Sequence, residues 1–372
     1  MRTRIVGLSD LTDHDLRDWR ELAGRAIEPN PYFEPDFVLP AARSLARPAE
    51  VGVLVAEGAD GWAACLPVRR AWRWRRLPLR SLTVWRHLYC YLGTPLVSDD
   101  RPRSALERLL EQATRDRTTT AFVLDWLGAG GPVGSILGEV LAERRGPALA
   151  YEAFDRGLLR RRAEDNYLDD GLSVKRRKEF RRLERRLADD LGVPLGVIDR
   201  GSDGSAPAEF SRLEAAGWKG RAGTALASST RHNRFFVEVC AAFGKAGRLQ
   251  MLALEGGERT VAMQCNLLAG EGLFCFKVAY DEDLAAYSPG AQLELGAVSE
   301  FHRRDDVEWM DSCAAPDNEL INRLWPDRRR IASVVVARGG RLGRSALAGV
   351  RSAAALRERA ERAPLPRMHD AL

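Results

Sequence analysis

Three features in the second half of the chain could take part in chemistry. Lys277 lies in an apolar, strand-like run, FCFKVAY, where an ammonium group is costly to bury unless it has a charged partner or a ligand. Ser288-Pro289-Gly290 follows a charged turn and opens a helical pattern, and Asp311 lies in the next strand-like run. Such a set of residues is typical of a site that binds an anion and moves a proton.

The Ser288-Pro289-Gly290 segment has the residue types of a phosphate-binding helix start. Ser288 can act as the N-cap, Pro289 suits the first helical position, and Gly290 leaves room where a ligand would approach. The free N–H groups and the positive end of the helix dipole then favour an anion. The alternative is an ordinary, well-capped helix without a ligand.

Lys277 and Asp311 are candidates for a second part of the same site. Strand alternation places Lys277 on the face of Cys275 in the predicted strand 272–280. Asp311 lies at the carboxyl end of the predicted strand 307–313. If these strands are parallel neighbours, Lys277 and Asp311 could meet at a cleft. The alternative is a buried structural ion pair.

Two further pairs of residues are candidates for substrate binding. Gln264 and Asn266 place two amides on one face of a core strand. Trp218 and Lys219 lie in a glycine-spaced segment, LEAAGWKGRAGTAL, predicted as an irregular loop. An exposed Trp beside a Lys would suit a substrate wall, whereas a buried Trp would only anchor the loop.

The elements that must position these residues read as a mixed α/β arrangement. The second half contains a predicted meander of strands 249–255, 259–269 and 272–280, followed by a helix over 290–303 and the strand 307–313. The first half alternates strand-like and helical patterns in a similar way. The sequence therefore predicts an α/β fold with mixed sheets flanked by helices.

Changes in composition divide the chain into three parts. We predict an N-terminal unit over 1–155, a C-terminal unit over 156–335 and an Ala/Arg-rich helical tail over 336–372. The polar, charged segment 156–173 is predicted to link the two units. Ser173 then caps the basic helix that follows it.

The overall composition is that of an ordinary globular protein. Hydrophobic residues make up 45% and charged residues 29% of the chain. No apolar run approaches the roughly 20 residues that a bilayer span requires, and the N-terminal segment has no signal-peptide core. We therefore predict a cytoplasmic protein.

The cysteines and histidines do not suggest a metal site. The six cysteines are scattered without a Cys-x-x-Cys pair, and the five histidines lack ligand spacing. We interpret the cysteines as small core residues in a reducing compartment. The net charge of +5 would suit an acidic ligand such as the phosphates of coenzyme A.

Two basic segments could bind RNA phosphates. The helix over 174–187 holds eight Lys/Arg against two Glu, and the segment 69–76, RRAWRWRR, places two Trp among arginines. Neither matches an RNA-binding signature. A solvated helix face and a hairpin edge are the alternative interpretations.

Four stretches of the second half resemble the CelD-type acetyltransferase domain of the GNAT superfamily, which is associated with cellulose and exopolysaccharide gene clusters. They are SVKRRKEFRRLERRL, LEAAGWKGRAGTAL, FKVAYDEDLAAYSPG and WMDSCAAPDNELINRLWPDRR. NPYFEPDFVLPAA (30–42) also resembles the N-terminal signature of these proteins, so the resemblance covers roughly residues 15–333. Members are similar to the Fem-type aminoacyl transferases in having two GNAT-like units packed together.

This resemblance implies where a donor would bind. In GNAT folds two parallel central strands splay, the pantetheine arm lies between them, and the pyrophosphate binds at the next helix N-terminus. The splayed strands here would be 272–280 and 307–313, and the helix would begin at Ser288. The usual Q/R-x-x-G-x-G/A loop is replaced by AAYSPGAQL, which has one glycine.

The implied activity is transfer of an acyl group from acetyl-CoA or another acyl-CoA to an amine or hydroxyl of a sugar, polysaccharide or small amine. A backbone N–H would polarise the thioester carbonyl. Asp311 is the first candidate for the base and Asp281 the second. Lys277 would tune the basicity of Asp311 or contact the donor. Tyr280 would protonate the leaving thiolate. The loop around Trp218 would bind the acceptor.

Two alternatives remain open at this stage. A Fem-type enzyme would use a charged tRNA as donor, and the helix 174–187 would bind that tRNA. A non-catalytic scaffold on the same fold would use the tail helix, 344–362, as its contact surface. The sequence makes no prediction of the oligomeric state.

Overall fold

One continuous mixed sheet runs through the molecule. The computed structural model describes residues 1–74, 77–115, 118–144 and 146–362. These residues contribute thirteen strands to the sheet: β1 Arg2–Gly7, β2 Gly52–Glu57, β3 Trp62–Ala71, β4 Ser81–Val84, β5 Leu96–Val97, β6 Ala121–Gly128, β7 Ala148–Arg160, β8 Leu195–Asp199, β9 Leu249–Gly256, β10 Arg259–Ala269, β11 Gly272–Tyr280, β12 Trp309–Asp311 and β13 Asp327–Ala337.

Helices cover both faces of this sheet. In the described part of the chain the α-helices are α1 Asp13–Gly24, α2 Pro35–Leu45, α3 Pro102–Arg115, α4 Pro132–Glu143, α5 Tyr167–Gly171, α6 Val174–Leu191, α7 Ala206–Ala216, α8 Trp218–Arg221, α9 Thr230–Lys245, α10 Pro289–Arg303, α11 Glu319–Leu324 and α12 Arg341–Arg362.

Two predicted segments extend beyond the described residues. Arg75 and Arg76 of the basic segment 69–76 lie outside them, as does the end of the predicted tail, 363–372. The tail helix itself is α12.

The two halves of the sheet repeat one arrangement. In the first half, β1 to β4 pair antiparallel in order, β4 pairs in parallel with β6, and β13 follows β6. In the second half, β8 to β11 pair antiparallel in order, β11 pairs in parallel with β12, and β7 follows β12. This repeat confirms the predicted mixed α/β fold built from two similar units.

The two innermost strands, β7 and β13, are exchanged between the halves. β7 belongs to the first half by sequence but pairs with β12, and β13 returns from the C-terminal side to pair with β6. Sequence reasoning missed both strands, and residues 156–160 of the predicted link belong to β7. Charged residues made this segment look like a linker, whereas Arg156 is buried because its partners come from distant strands.

β11 and β12 lie side by side for only three positions. Gly272 to Phe274 pair with Trp309 to Asp311, and β11 then continues to Tyr280 without β12 beside it. The predicted strand 307–313 was therefore too long. Cys313 has a φ of 49°, a left-handed conformation that is incompatible with an extended strand. The two parallel strands thus separate from Cys275 onward.

A β-bulge in β11 changes which face its later residues occupy. Cys265 of β10 lies opposite Lys277, but the next residue, Asn266, lies opposite Cys275, so Phe276 is the extra residue. Cys275 packs in the apolar cluster under α10, whereas Lys277 faces α7 on the side of Phe276. The predicted alternation, which placed Lys277 on the face of Cys275, was wrong for this reason.

The helix α10 is fixed to the core by a buried carboxyl group. The side chain of Glu294 accepts a hydrogen bond from the indole N–H of Trp325 at 2.8 Å. Burial raises the pKa of Glu294 to about 7, from an ordinary value of 4.5. The folded protein therefore retains a proton that the unfolded chain releases at lower pH.

We expect the variant Glu294→Gln to lose part of the pH dependence of stability. In the native chain the free energy of unfolding should fall as the pH rises from about 4.5 to about 7, by on the order of 3 kcal/mol in total. The glutamine does not ionise. The variant should therefore match the native chain in free energy of unfolding at acidic pH and exceed it by the full difference near pH 8. Urea denaturation across this range measures the difference, and parallel curves for the two proteins would contradict the assignment.

Candidate functional site

Two lysines share one carboxylate beside the separated part of β11. The Glu214 Oε1 atom lies 2.9 Å from the Lys219 Nζ and 3.5 Å from the Lys277 Nζ. The Oε2 atom of Glu214 accepts the backbone N–H of Leu226 at 2.8 Å. The side chain of Glu214 is 1% exposed and that of Lys277 is 12% exposed, so this cluster lies mostly out of water. Lys277 therefore pairs with Glu214 and not with Asp311.

Burial and charge change the pKa values of Glu214 and Lys277 in opposite directions. Burial lowers the pKa of Lys277, although the charge of Glu214 opposes that change. Burial alone would raise the pKa of Glu214, but the charge of Lys277, the amide of Leu226 and the ammonium of Lys219 lower it overall. Glu214 is therefore a carboxylate at neutral pH, and it accepts charge-assisted hydrogen bonds.

A tyrosine from the first half of the chain contacts Lys277. The Lys277 Nζ lies 4.8 Å from the centroid of the Tyr89 ring, a cation–π distance. The Tyr89 hydroxyl lies 3.0 Å from the Nδ1 of His232, on α9. Both halves of the molecule therefore contribute side chains to one site.

An open cleft lies beside Lys219 and Glu214. Its walls include Trp218 and Lys219 from α8, Glu214 from α7, and Tyr280 and Glu282 from the end of β11 and the turn after it. The side chain of Trp218 is 53% exposed, which favours the interpretation as a cleft wall over that as a core anchor. The segment around it, predicted as irregular, forms the short helix α8.

Asp311 lies at the end of β12 within a buried ion network. Its Oδ2 atom accepts hydrogen bonds from Arg156 of β7 at 2.6 Å and from Arg329 of β13 at 2.9 Å. Arg329 also donates to Glu28 at 2.6 Å. Asp311 is 0% exposed, and although burial alone would raise its pKa, the charges of Arg156 and Arg329 lower it. This carboxylate is a weak base.

Cys313 follows Asp311 at the point where the strands separate. Its thiol accepts a hydrogen bond from the hydroxyl of Tyr32 at 3.2 Å, and its backbone N–H donates to Asp311 at 3.0 Å. Burial, with the charge of Asp311, raises the pKa of the Cys313 thiol to about 12. A thiol that stays protonated is a poor nucleophile.

The start of α10 lies against the end of β11. Ser288 occupies the predicted N-cap position with a φ of 53°, but its side chain makes no capping hydrogen bond. Pro289 has no N–H, and the amides of Ala291 and Gln292 donate to the Ser288 carbonyl oxygen. That leaves the N–H of Gly290 for a ligand, and a Cβ at Gly290 would lie 3.6 Å from the Tyr280 ring.

The basic helix α6 packs beside this helix start. It begins at Val174, and the hydroxyl of Ser173 accepts the N–H of Arg176 as the predicted cap. The guanidinium of Arg186 lies 5.7 Å from the centroid of the Tyr287 ring, immediately before α10. Exposed cations of α6 therefore lie near the N-terminus of α10.

Gln264 and Asn266 are buried in the sheet on the side of α10. Gln264 donates to the sulfur of Cys275 at 3.2 Å, and Asn266 donates to Gln250 at 2.9 Å. The side-chain oxygen of each residue has no hydrogen-bond partner. Both amides therefore lie on the opposite side of β11 from Lys277, and their predicted role in binding substrate stays a prediction.

Asp281 lies at the open end of β11. Its carboxylate accepts the N–H of Asp283 at 3.0 Å and pairs with Arg259 at 2.5 Å. The adjacent residue, Tyr280, lines the cleft. Asp281 is thus nearer to solvent than Asp311.

The sequence of the second half matches a known domain. Residues 174–319 match the model of the acetyltransferase (GNAT) domain. This segment is therefore similar to acetyltransferase domains of the GNAT type. The separated strands, the bulge and the start of α10 all lie within it. No curated protein sequence matches the chain significantly.

Solved structures share the fold of nearly the whole chain. The crystal structure of FemX aligns with a TM-score of 0.57 at 11% identity, over 89% of this chain and 97% of that chain. A conserved protein of unknown function from Bacteroides thetaiotaomicron aligns with a TM-score of 0.57 at 12% identity, over 91% of this chain and 100% of that chain. A C-terminal domain assigned provisionally to a lysylphosphatidylglycerol synthetase from Agrobacterium fabrum aligns with a TM-score of 0.53 at 10% identity, over 93% of this chain and 95% of that chain. At these identities the likeness concerns the fold alone.

Two other expectations can be compared with the structure. All six cysteines are free thiols, five of them buried and Cys313 partly buried. None of the helices in the described ranges combines the length and the apolar composition that crossing a bilayer would require.

Sequence reasoning missed four of the residues that shape this candidate site. Glu214 stands in the motif quoted for Trp218, and its place on an apolar helix face next to a lysine-containing turn was a usable signal. Tyr89, Arg156 and Arg329 come from distant parts of the chain, and no local pattern links them to β11 or β12. Their roles depend on tertiary contacts.

We expect Glu214→Gln to destabilise the protein by about 3 kcal/mol or more, because it leaves two mostly buried ammonium groups without a carboxylate. Chemical denaturation near neutral pH measures the change. Glu238→Gln is a matched control, since Glu238 pairs with two exposed arginines at the surface and should cost less than about 1 kcal/mol. Equal effects of the two substitutions would contradict this account of the site.

Proposed function

We propose that the protein transfers an acyl group from acetyl-CoA or another acyl-CoA to an amine or hydroxyl. The acceptor would be a sugar, a polysaccharide or a small amine, in keeping with the resemblance to CelD-type proteins. The observation that carries the proposal is the separation of β11 from β12 after Phe274, next to the start of α10. A thioester arm and its phosphates need such a slot and such a helix start together.

The donor would bind along the edge that the two strands leave open. The pantetheine arm would lie beside Cys275 to Tyr280 of β11, and the pyrophosphate would lie at Ser288, Pro289 and Gly290. Gly290 supports this placement with a free N–H and no side chain. The cations of α6 add positive potential on the same side.

The chemistry would be direct transfer. The acceptor nucleophile attacks the carbonyl carbon, the carbon–sulfur bond breaks, and the thiolate takes a proton from the hydroxyl of Tyr280. The bulge at Phe276 frees backbone from the ladder at the point of separation, and an N–H there would stabilise the developing oxyanion. Lys277 lies beyond the bulge, on the acceptor side.

For the base we propose Asp281 in place of Asp311. The contacts of Asp311 with Arg156 and Arg329 bury its carboxylate and lower its pKa, so it would position the strand ends instead of accepting a proton. Asp281 follows Tyr280, which lines the cleft, and its carboxylate is partly exposed. A proton from the acceptor could pass from there to solvent.

A charged tRNA is the second candidate for the donor. The basic helix α6 and its exposed arginines favour it, because a tRNA backbone binds to such a surface through its phosphates. Its binding would weaken steeply with salt, whereas binding of a small thioester would change less.

We expect acetyl-CoA or a longer acyl-CoA to bind the full-length protein in calorimetry, and Gly290→Glu to weaken this binding at least about tenfold more than Gly290→Gln. An acidic residue suits a helix N-terminus, so the fold should tolerate it, while its charge repels the pyrophosphate. Equal binding by both variants would contradict the donor site. Binding of charged tRNA alone would favour the second candidate, and binding of neither donor would favour a scaffold.

We expect Asp281→Asn to abolish turnover while donor binding persists, measured as release of free CoA thiol with a panel of amines and sugars. Asp311→Asn should instead lower the free energy of unfolding by about 3 kcal/mol or more, because two buried arginines lose a charged partner. Full turnover by Asp281→Asn would refute the choice of Asp281. Loss of turnover in a stable Asp311→Asn protein would restore Asp311 as the base.

A further inference from the structure

Two buried ion clusters in the described part of the chain differ in their charge balance. In the cluster under β12, Arg156 and Arg329 face Asp311 and Glu28, so the charges match. In the cluster beside β11, Lys219 and Lys277 both contact the same oxygen of Glu214. Within the described residues, Glu214 is the only carboxylate at salt-bridge distance from either lysine.

The other charged pair at the cleft does not correct this imbalance. Glu282 accepts the backbone N–H of Trp218 and forms an ion pair with Arg221, so its charge is matched. The second oxygen of Glu214 is occupied by the amide of Leu226. The cluster therefore has one positive charge in excess at a position mostly withdrawn from water.

An excess buried charge is costly unless something compensates for it. Among the described residues, the Lys277 ammonium contacts one carboxylate oxygen, at 3.5 Å, and the face of the Tyr89 ring. Burial accordingly lowers the pKa of Lys277. A purely structural ion pair needs one lysine for one glutamate, so the second lysine points to a ligand.

The cleft beside Lys219 is open to solvent and has an apolar rim. The exposed side chains of Trp218 and Val278 line it, together with Lys219 and Glu214. Lys277 lies behind Glu214, at 3.5 Å from its Oε1 atom. An acceptor could place an anionic group on the Lys219 ammonium, within the positive potential of Lys277, and its carbon skeleton against this rim.

We infer that the acceptor carries a carboxylate or phosphate group, which binds at Lys219 within the positive potential of Lys277. This inference rests on the proposed acyl transfer, because it names the class of acceptor for the same site. Glu214 holds the two ammonium groups apart and in place. The acceptor's anionic group supplies the second negative charge, and its amine or hydroxyl is left free to face β11.

The test compares matched acceptors with and without an anionic group. Glucosamine 6-phosphate and glucosamine form the phosphate pair, and alanine and alaninamide form the carboxylate pair. Dissociation constants are measured by calorimetry on the full-length protein at low salt. We expect the anionic member of at least one pair to bind about tenfold tighter or better. The pair that shows the preference identifies the anionic group.

Three variants connect that preference to the lysines. Lys219→Met and Lys277→Met should each reduce it to less than about threefold, whereas Lys245→Met, which removes an exposed lysine at the end of α9, should leave it unchanged. Lys277→Met should also unfold at the same temperature as the native chain or higher, because Lys219 still pairs with Glu214. Lys219→Met lies nearer the surface and tests the inference even if Lys277→Met does not fold.

Equal binding within both pairs would overturn the inference, as would an anion preference that survives both lysine substitutions. A lower unfolding temperature for Lys277→Met would also count against it, since it would make Lys277 a structural partner. If the protein turns over acyl-CoA but shows no anion preference, the inference about the acceptor is wrong and the proposed acyl transfer stands. An anion preference without binding of any donor keeps the anion site at the lysines and removes the proposed transfer.

Discussion

The contact on which the rest of the structure depends is the pairing of Asp311 with Arg156 and Arg329. Asp311 ends β12, Arg156 comes from β7 and Arg329 from β13, so one carboxylate oxygen joins the three strands at the centre of the sheet. β7 and β13 are also the strands that the two halves exchange. Breaking a matched buried network of this kind costs several kcal/mol, so this contact holds the two halves together where the site is built.

The same network explains how the chemistry is distributed over the site. Because Asp311 is committed to two arginines, it is a weak base, and the separated end of β11 carries the groups that face the cleft. The bulge at Phe276 turns Lys277 towards Glu214 and away from α10. In the proposed function, the donor would bind at the start of α10 and the acceptor at the lysine cluster.

Much of the local structure could be predicted from the sequence. The strands 259–269 and 272–280 agree with β10 and β11 to the residue, and the helix predicted over 290–303 is α10 with one residue added. The cap at Ser173 also forms as expected. Each of these features depends on periodicity, turn residues or capping, which act within a few residues of the chain.

What the sequence alone determined is therefore the set of elements, the segment that opens with Ser288-Pro289-Gly290 and the residues that could do chemistry. The tertiary structure alone decided their partners: Lys277 with Glu214, Asp311 with Arg156 and Arg329, and Tyr89 across the interface of the two halves. The physical reason is that a buried charge is stabilised by whichever opposite charge the fold brings within a few ångströms. That choice depends on a bulge and on two exchanged strands, which leave no periodic pattern in the sequence.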